Sequence, residues 1–455
     1  MSAGAAGSLV TVNSRLRRTK AEQTKQTRRL IIATGIFCLA NFGYARTTMQ
    51  LISQRAGISR GPLNYHFSDR TALMSAIAEA LPREVTRALV KRLDAVTSPQ
   101  ERFATILDVA LEEHRGDHHY SAIELLLAAR SDPNLADAIL PHFLASEDLI
   151  DRWWCDYLAA LRWPVTPLLA WRHVLVSCMR GLALDHVLQK DTASHANAVA
   201  LTREMFLSFV SSPPEQGPGQ HRGQPSLPSD ESRYETPSGD GWVPARGGVP
   251  KDEQTRRTRK LIVEAGIRCL AKFGYAKTTI MMISAEAGIS RGPFHYHFED
   301  RNALMAAVAE ALPLTVSAEI AARLRLASSI GERLDAIISL TADHHLGDSH
   351  FASLELLIAT RHDQVLADAV RPHFEASNRI MDDQWASYLR LLAWPRERLI
   401  ALRHVTIACL RGLAVSKVLR SDLQLHIDAF GMLQDMFIAF VDSTELNQRV
   451  GDKWS

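Results

Sequence analysis

The chain has 455 residues, 46% hydrophobic and 22% charged, with a formal net charge of +2. That is too long for one ordinary core and too apolar for a disordered chain, so two or more globular domains are expected. The near-neutral balance excludes a uniformly basic surface, and the five dispersed cysteines (Cys38, Cys155, Cys178, Cys269, Cys409), with no CxxC pair, argue against a disulfide framework or zinc site and for a reducing compartment.

Residues 1–20 read as a disordered basic arm holding Arg15, Arg17, Arg18 and Lys20. A helix follows. Its run Leu30–Ala45 is uncharged but shorter than the roughly 20 residues of a membrane span. It begins after a polar, basic stretch, unlike a signal peptide, so a buried helix in a cytoplasmic protein is expected. Ile31, Thr34, Gly35, Cys38 and Phe42 recur at helical spacing as one buried stripe, and Gly43 offers a stop. Thr47 or Thr48 can cap a short second helix ending at Gly57, Ser59 a third over "RGPLNYHF", and Asp69 a fourth. Helix, short helix, glycine turn and short helix is the layout of a helix-turn-helix.

The same layout returns. "GISRGPLNYHF" at 57–67 reappears as "GISRGPFHYHF" at 288–298, and pairs such as Pro141 and Pro372, Trp163 and Trp394, or Phe206 and Phe437 keep the same 231-residue offset. From Thr27 to Val210 no insertion or deletion is needed, so a whole all-α domain is duplicated. Residues 211–250 are rich in Pro, Gly and Ser and read as a flexible linker of 40 residues. The expected order is a helix-turn-helix domain at 21–70, a helical domain at 71–210, the linker, a second helix-turn-helix domain at 251–301, a second helical domain at 302–445 and a tail at 446–455.

The short third helix has the parts that a groove-entering helix needs. Ser59 and the helix N-terminal N–H groups suit a phosphate, Arg60 and Arg70 add charge, and Asn64, Tyr65 and His66 offer hydrogen bonds. Leu63 and Phe67 form an apolar back, and Gly61 permits close approach. Lys25, Arg28 and Arg29, or Arg256, Arg257, Arg259 and Lys260, precede each unit.

Thr47-Thr48, Ile52, Ala56-Gly57-Ile58-Ser59, Gly61, Tyr65, His66-Phe67, Arg70 and Leu73, with their counterparts from Thr278 to Leu304, resemble the DNA-binding signature of TetR-family transcriptional regulators. The remainder, including "IELLLAARSD" at 123–132 and "LELLIATRHD" at 354–363, is similar to that family's helical regulatory domains. The resemblance implies a repressor that binds double-stranded operator DNA and is released by a small-molecule effector, with no cofactor and no membrane. Carried over by position, it implies DNA contacts from Thr48, Ser59, Arg60, Gly61, Pro62, Asn64, Tyr65, His66 and Arg70. In the second copy these are Thr279, Ser290, Arg291, Gly292, Pro293, His295, Tyr296, His297 and Arg301. Most family members are single-copy homodimers. A tandem chain is therefore expected to form an intramolecular pseudo-dimer on an imperfect palindrome, because Asn64 in one head faces His295 in the other and Asn alone has a bidentate match to adenine.

Two other readings compete. His114, Asp117 and His119, shared as His345, Asp348 and His350, could mark a metal-dependent enzyme, although three converging side chains are not expected from this spacing. The apolar late helices at 168–184 and 399–415 fit helix pairing between the copies and would also suit a scaffold without DNA binding. Candidates to line an effector pocket are His119, Arg130, His142 and Trp154, with His350, Arg361, His373 and Trp385 in the second copy.

Overall fold

The computed structural model describes residues 19–93, 96–188, 192–210, 251–312, 322–324, 326–345, 347–419 and 423–451. The expected basic arm before residue 19 and the linker at 211–250 lie outside the described residues. Helices account for nearly all of the rest, and no strand occurs among them.

Copy one contains α1 (Lys20–Arg46), α2 (Met49–Ala56), α3 (Arg60–His66), α4 (Arg70–Leu93), α5 (Pro99–Glu113), α6 (Asp117–Arg130), α7 (Pro133–Leu158), α8 (Val165–Leu188) and α9 (Thr192–Val210). Copy two contains α10 (Lys251–Lys277), α11 (Ile280–Glu286), α12 (Arg291–His297), α13 (Arg301–Ala311), α14 (Ile330–His345), α15 (Asp348–Thr360), α16 (Gln364–Tyr388), α17 (Arg396–Leu419) and α18 (Leu423–Gly451).

Several expected boundaries shift. Lys20, assigned above to the arm, opens α1, because Thr19 and Glu22 form a reciprocal capping box before it. At the other end α18 runs on to Gly451, into the expected tail. Gly43 kinks α1 rather than ending it: its φ of 76° interrupts the helix, which then resumes to Arg46.

The helix-turn-helix forms by local chemistry. Thr48 Oγ1 accepts from Leu51 N–H at 3.1 Å to start α2, and Gly57, at φ 66°, ends it in the left-handed region. Asp69 Oδ1 accepts from Ala72 N–H at 2.8 Å to start α4. Thr279, Gly288 and Asp300 repeat these roles. Leu63 and Phe67 are buried in the same cluster as Ile31, Ile52, Leu73 and Ile77, which anchors α3 by its inner face alone. Burial of a side chain such as Leu63 contributes about 1.5–3 kcal/mol.

The two copies pack together through α8 and α17. Gly181 lies against Ala408 and Gly412 against Ser177, so the backbones touch where the helices cross. Cys178, Leu182, Cys409 and Leu413 belong to the shared core around this crossing. By length and composition α17 could span a membrane, but 89% of its apolar window is buried inside the protein.

Candidate nucleic-acid interface and adjoining cavity

With its inner face committed to the core, α3 leaves its outer face in solvent. Asn64 is exposed and Tyr65 is 79% exposed; in copy two His295 is exposed and Tyr296 is 71% exposed. Each tyrosine ring meets the ring of the next histidine, His66 or His297, in a T-shaped contact. Thr48, Ser59, Arg60, Gly61 and Pro62 share this exposed surface, as do Thr279, Ser290 and Gly292 in copy two. A methyl group added at Gly61 or Gly292 would meet nothing within 4 Å. Arg60 reaches Gln50 Oε1 at 3.4 Å, which brings the starts of α2 and α3 together. The side chains of Arg291 and Pro293 lie outside the described ones.

One expectation at this surface, helix capping by the two serines, is corrected. Ser59 and Ser290 precede their helices, but neither hydroxyl makes a capping hydrogen bond. Arg70 and Arg301, expected to contact DNA, turn inward. Arg70 donates to the carbonyls of Thr47 and Tyr44 and lies 3.9 Å from the centre of the Tyr44 ring. Arg301 donates to the Tyr275 carbonyl and covers the Tyr275 ring in the same way. These arginines tie the end of α1 or α10 to the start of α4 or α13.

The kinks are also where each head meets its helical domain. Glu124 accepts from Tyr44 N–H and Glu355 from Tyr275 N–H, both at 2.9 Å. Here the copies differ. His362 of copy two crosses to Glu124 at 2.8 Å, whereas Ser131 stands at the equivalent position opposite Glu355, with Lys277 donating to the Ser131 carbonyl. Burial pushes the Glu355 carboxyl up to about 7, opposed by the Tyr275 N–H and the Arg130 charge, with Glu124 raising it and Lys277 lowering it. A carboxyl raised in the folded state stabilises fully below its unfolded value, near 4.5. That contribution is lost as pH rises towards about 7. Urea unfolding of Glu355→Gln and the parent should therefore diverge with pH, the variant gaining on the order of 3 kcal/mol between pH 4.5 and pH 8. Parallel pH profiles would count against it.

Below the head of copy one, α4 to α8 enclose a cavity of about 360 Å³. Its walls are apolar, with Leu89, Ile106, Phe143, Trp153 and Met179; Trp154 and His119, both expected here, line it. Burial, with the Arg180 charge second, pushes the His119 imidazole down to about 3, so the ring is neutral. The Met179 carbonyl accepts from the ring, and Nε2 has no hydrogen-bond partner among the described residues. Arg172 and Arg180 form the charged floor, but Glu147 already answers both, at 2.8 and 3.2 Å, and Asp151 answers Arg172 as well.

His142 and Arg130, also expected here, do not line this cavity. His142 bonds Ser75 Oγ at 2.8 Å. Arg130 covers the Phe351 ring at 3.9 Å and Arg361 covers the Tyr120 ring at 3.3 Å, so both are contacts between the copies. In copy two His350 and Trp385 are buried and His373 is half-buried on α16, while residues 313–321, the counterpart of one cavity wall, lie outside the described residues. Sequence reasoning missed Glu124, Glu147, Arg180 and His362. The signal available was that Glu147 and Ser131 stand where copy two has Asn378 and His362. Among the described residues no group of three His, Cys, Asp or Glu side chains could hold a metal ion.

The sequence profile described as bacterial regulatory proteins of the tetR family matches residues 31–77 and again 262–308. The HTH-type transcriptional regulator CymR of Pseudomonas putida is 28% identical over 199 residues, which is 42% of this chain and 97% of that protein. The HTH-type transcriptional repressor Rv1474c of Mycobacterium tuberculosis is 30% identical over 109 residues, 24% of this chain and 54% of that protein. Among solved structures, the fatty acid degradation regulator FadR from Bacillus halodurans matches 43% of this chain and 97% of its own, at 15% identity and a TM-score of 0.32. Both profile matches begin on the first helix of a unit and end on its fourth, spanning α2–α3 and α11–α12. The chain therefore belongs to the TetR family of bacterial regulatory proteins and carries the family's helix-turn-helix unit twice in tandem.

Proposed function

We propose that this chain is a cytoplasmic repressor in which two heads on one chain form a pseudo-dimer on an imperfectly palindromic operator, and that a small apolar effector releases it. The observation that carries the reading is the pair of tyrosines, Tyr65 and Tyr296, each mostly exposed on a helix whose opposite face is buried. A large ring left in water serves no folding purpose here, and its neighbours are hydrogen-bonding and basic. In this reading Thr48, Ser59, Arg60, Gly61, Pro62, Asn64, Tyr65 and His66 meet one half-site. Thr279, Ser290, Arg291, Gly292, Pro293, His295, Tyr296 and His297 meet the other. Residues 20–70 and 251–301 act as the reading heads and the helical remainders as regulatory domains. Selection from a random DNA pool with the full chain tests this. The expected site has two half-sites that differ under Asn64 and His295, and sedimentation should find one chain per site. A strictly symmetric site, or two chains on a minimal site, would overturn that part.

The cavity narrows the effector's chemistry. Its arginines are already neutralised, so it does not call for an anion. His119 Nε2, on a neutral ring, is an acceptor, so the effector is an apolar molecule bearing a hydroxyl or N–H donor. Arg180 joins the cavity floor to Ser416 of the other copy, a physical link between effector and head spacing. Effectors should quench or enhance Trp153 and Trp154 emission and weaken DNA binding about 5- to 150-fold. Replacing His119 by leucine should remove the preference for donor-bearing compounds over isosteres without a donor. A compound that releases DNA with no change in tryptophan emission would place its site elsewhere.

A further inference from the structure

The interface between α8 and α17 carries buried charge that departs from two-fold symmetry. Arg180 and Arg411 are equivalent positions in the repeat, as are Asp185 and Ser416, and Glu147 and Asn378. Arg180 takes its carboxylate from its own copy, Glu147 Oε1 at 3.2 Å, and across the interface it donates to Ser416 Oγ at 2.5 Å. Arg411 does the reverse. Its own copy has Asn378 in place of Glu147, and it reaches across to Asp185 Oδ1 at 2.9 Å. Asp185 Oδ2 also lies 2.9 Å from His404 Nδ1. Arg180, Glu147 and Asp185 are each 7% exposed or less. Arg172 pairs with Asp151 and Arg403 with the equivalent Asp382, so these two pairs are the same in both copies, whereas Glu147 also answers Arg172 at 2.8 Å and has no acidic counterpart in copy two.

We propose that this relocation of one carboxylate makes the α8 face specific for the α17 face, so that copy one pairs with copy two and neither pairs with its like. This rests on the pseudo-dimer proposed above. Set two copy-two faces together and each Arg411 meets only Ser416 and Asn378, which leaves two buried guanidinium groups without a counter-charge. Set two copy-one faces together and each Arg180 meets both Glu147 and Asp185, which buries a surplus carboxylate on each side. Only the mixed pair is balanced. Removing one partner of a buried ion pair is strongly destabilising, so an unmatched pairing is heavily penalised. The consequence reaches the heads. Whether pairing occurs within one chain or between two, every pair brings one Asn64 head beside one His295 head, and the asymmetry of the operator follows.

The test uses the full chain with a protease site placed within residues 211–250, folded, then cut and left to exchange. Native mass spectrometry should find one N-terminal fragment with one C-terminal fragment, and like-with-like pairs at least ~100-fold below their statistical share. A statistical mixture would overturn the selectivity while leaving pairing intact. Fragments that separate as monomers would overturn the pairing itself. Asp185→Ser alone should lower the melting temperature. Adding Asn378→Glu gives copy two the cis carboxylate of copy one; it should recover that temperature and raise like-with-like pairs towards their statistical share. A double variant that recovers neither would also refute the proposal.

Discussion

Replacing Gly412 by alanine is expected to drive the two copies apart. A Cβ at Gly412 would sit 1.7 Å from the Ser177 carbonyl oxygen, and one at Gly181 would sit 1.8 Å from that of Ala408. Both obstacles are backbone, so no rotamer change relieves them. The helices would have to separate at their crossing, opening the core around Cys178, Leu182, Cys409 and Leu413. Overpacking alone costs about 1–3 kcal/mol, and loss of the surrounding contacts carries the total beyond ~4 kcal/mol. Thermal unfolding and sedimentation would register a fall in melting temperature and a looser or self-associating chain. Gly61→Ala is the control: its methyl meets open space, so stability should hold within about 1 kcal/mol. A Gly412→Ala protein with unchanged melting temperature would refute this account of the crossing.

Replacing Tyr65 and Tyr296 together by alanine should abolish selective DNA binding without touching the fold. Each ring is mostly exposed, with a T-shaped contact to its neighbouring histidine, so circular dichroism and melting temperature should match the parent. Loss of two contacts at about 1–3 kcal/mol each predicts a fall of about thirtyfold or more in affinity for the selected site. The sequence-independent part should survive. With roughly six phosphates neutralised, log affinity should fall with log salt at a slope near −5 in parent and variant alike. The two heads should contribute unequally to that slope. Arg256, Arg257 and Lys260 lie within 4 Å of Glu253 or Glu264. Neutralising Glu253 and Glu264 to glutamine should therefore steepen the dependence. Full selective affinity in the double tyrosine variant would remove the central support for the proposed interface.

The duplication, the all-helical class and the helix-turn-helix were legible in the letters because each rests on local rules. Thr48, Gly57 and Asp69 cap or end helices through atoms a few residues away, and the stripe through Ile31, Gly35 and Cys38 follows from helical period alone. Exposure of Tyr65 was legible for the same reason, since Leu63 and Phe67 had claimed the inner face. The inward bonds of Arg70 were not legible because its partners, the carbonyls of Thr47 and Tyr44, lie 23 and 26 positions earlier at the end of α1. The stacking of Arg130 and Arg361 was not legible because their rings, Phe351 and Tyr120, come from the other copy. The contact of Gly181 with Ala408, and the choice of Asp185 rather than Glu147 to answer Arg411, join residues more than two hundred positions apart. Local propensity carries no information about such pairs. Chain folding alone brings them together, and there burial makes one misplaced charge or methyl decide which surfaces can meet.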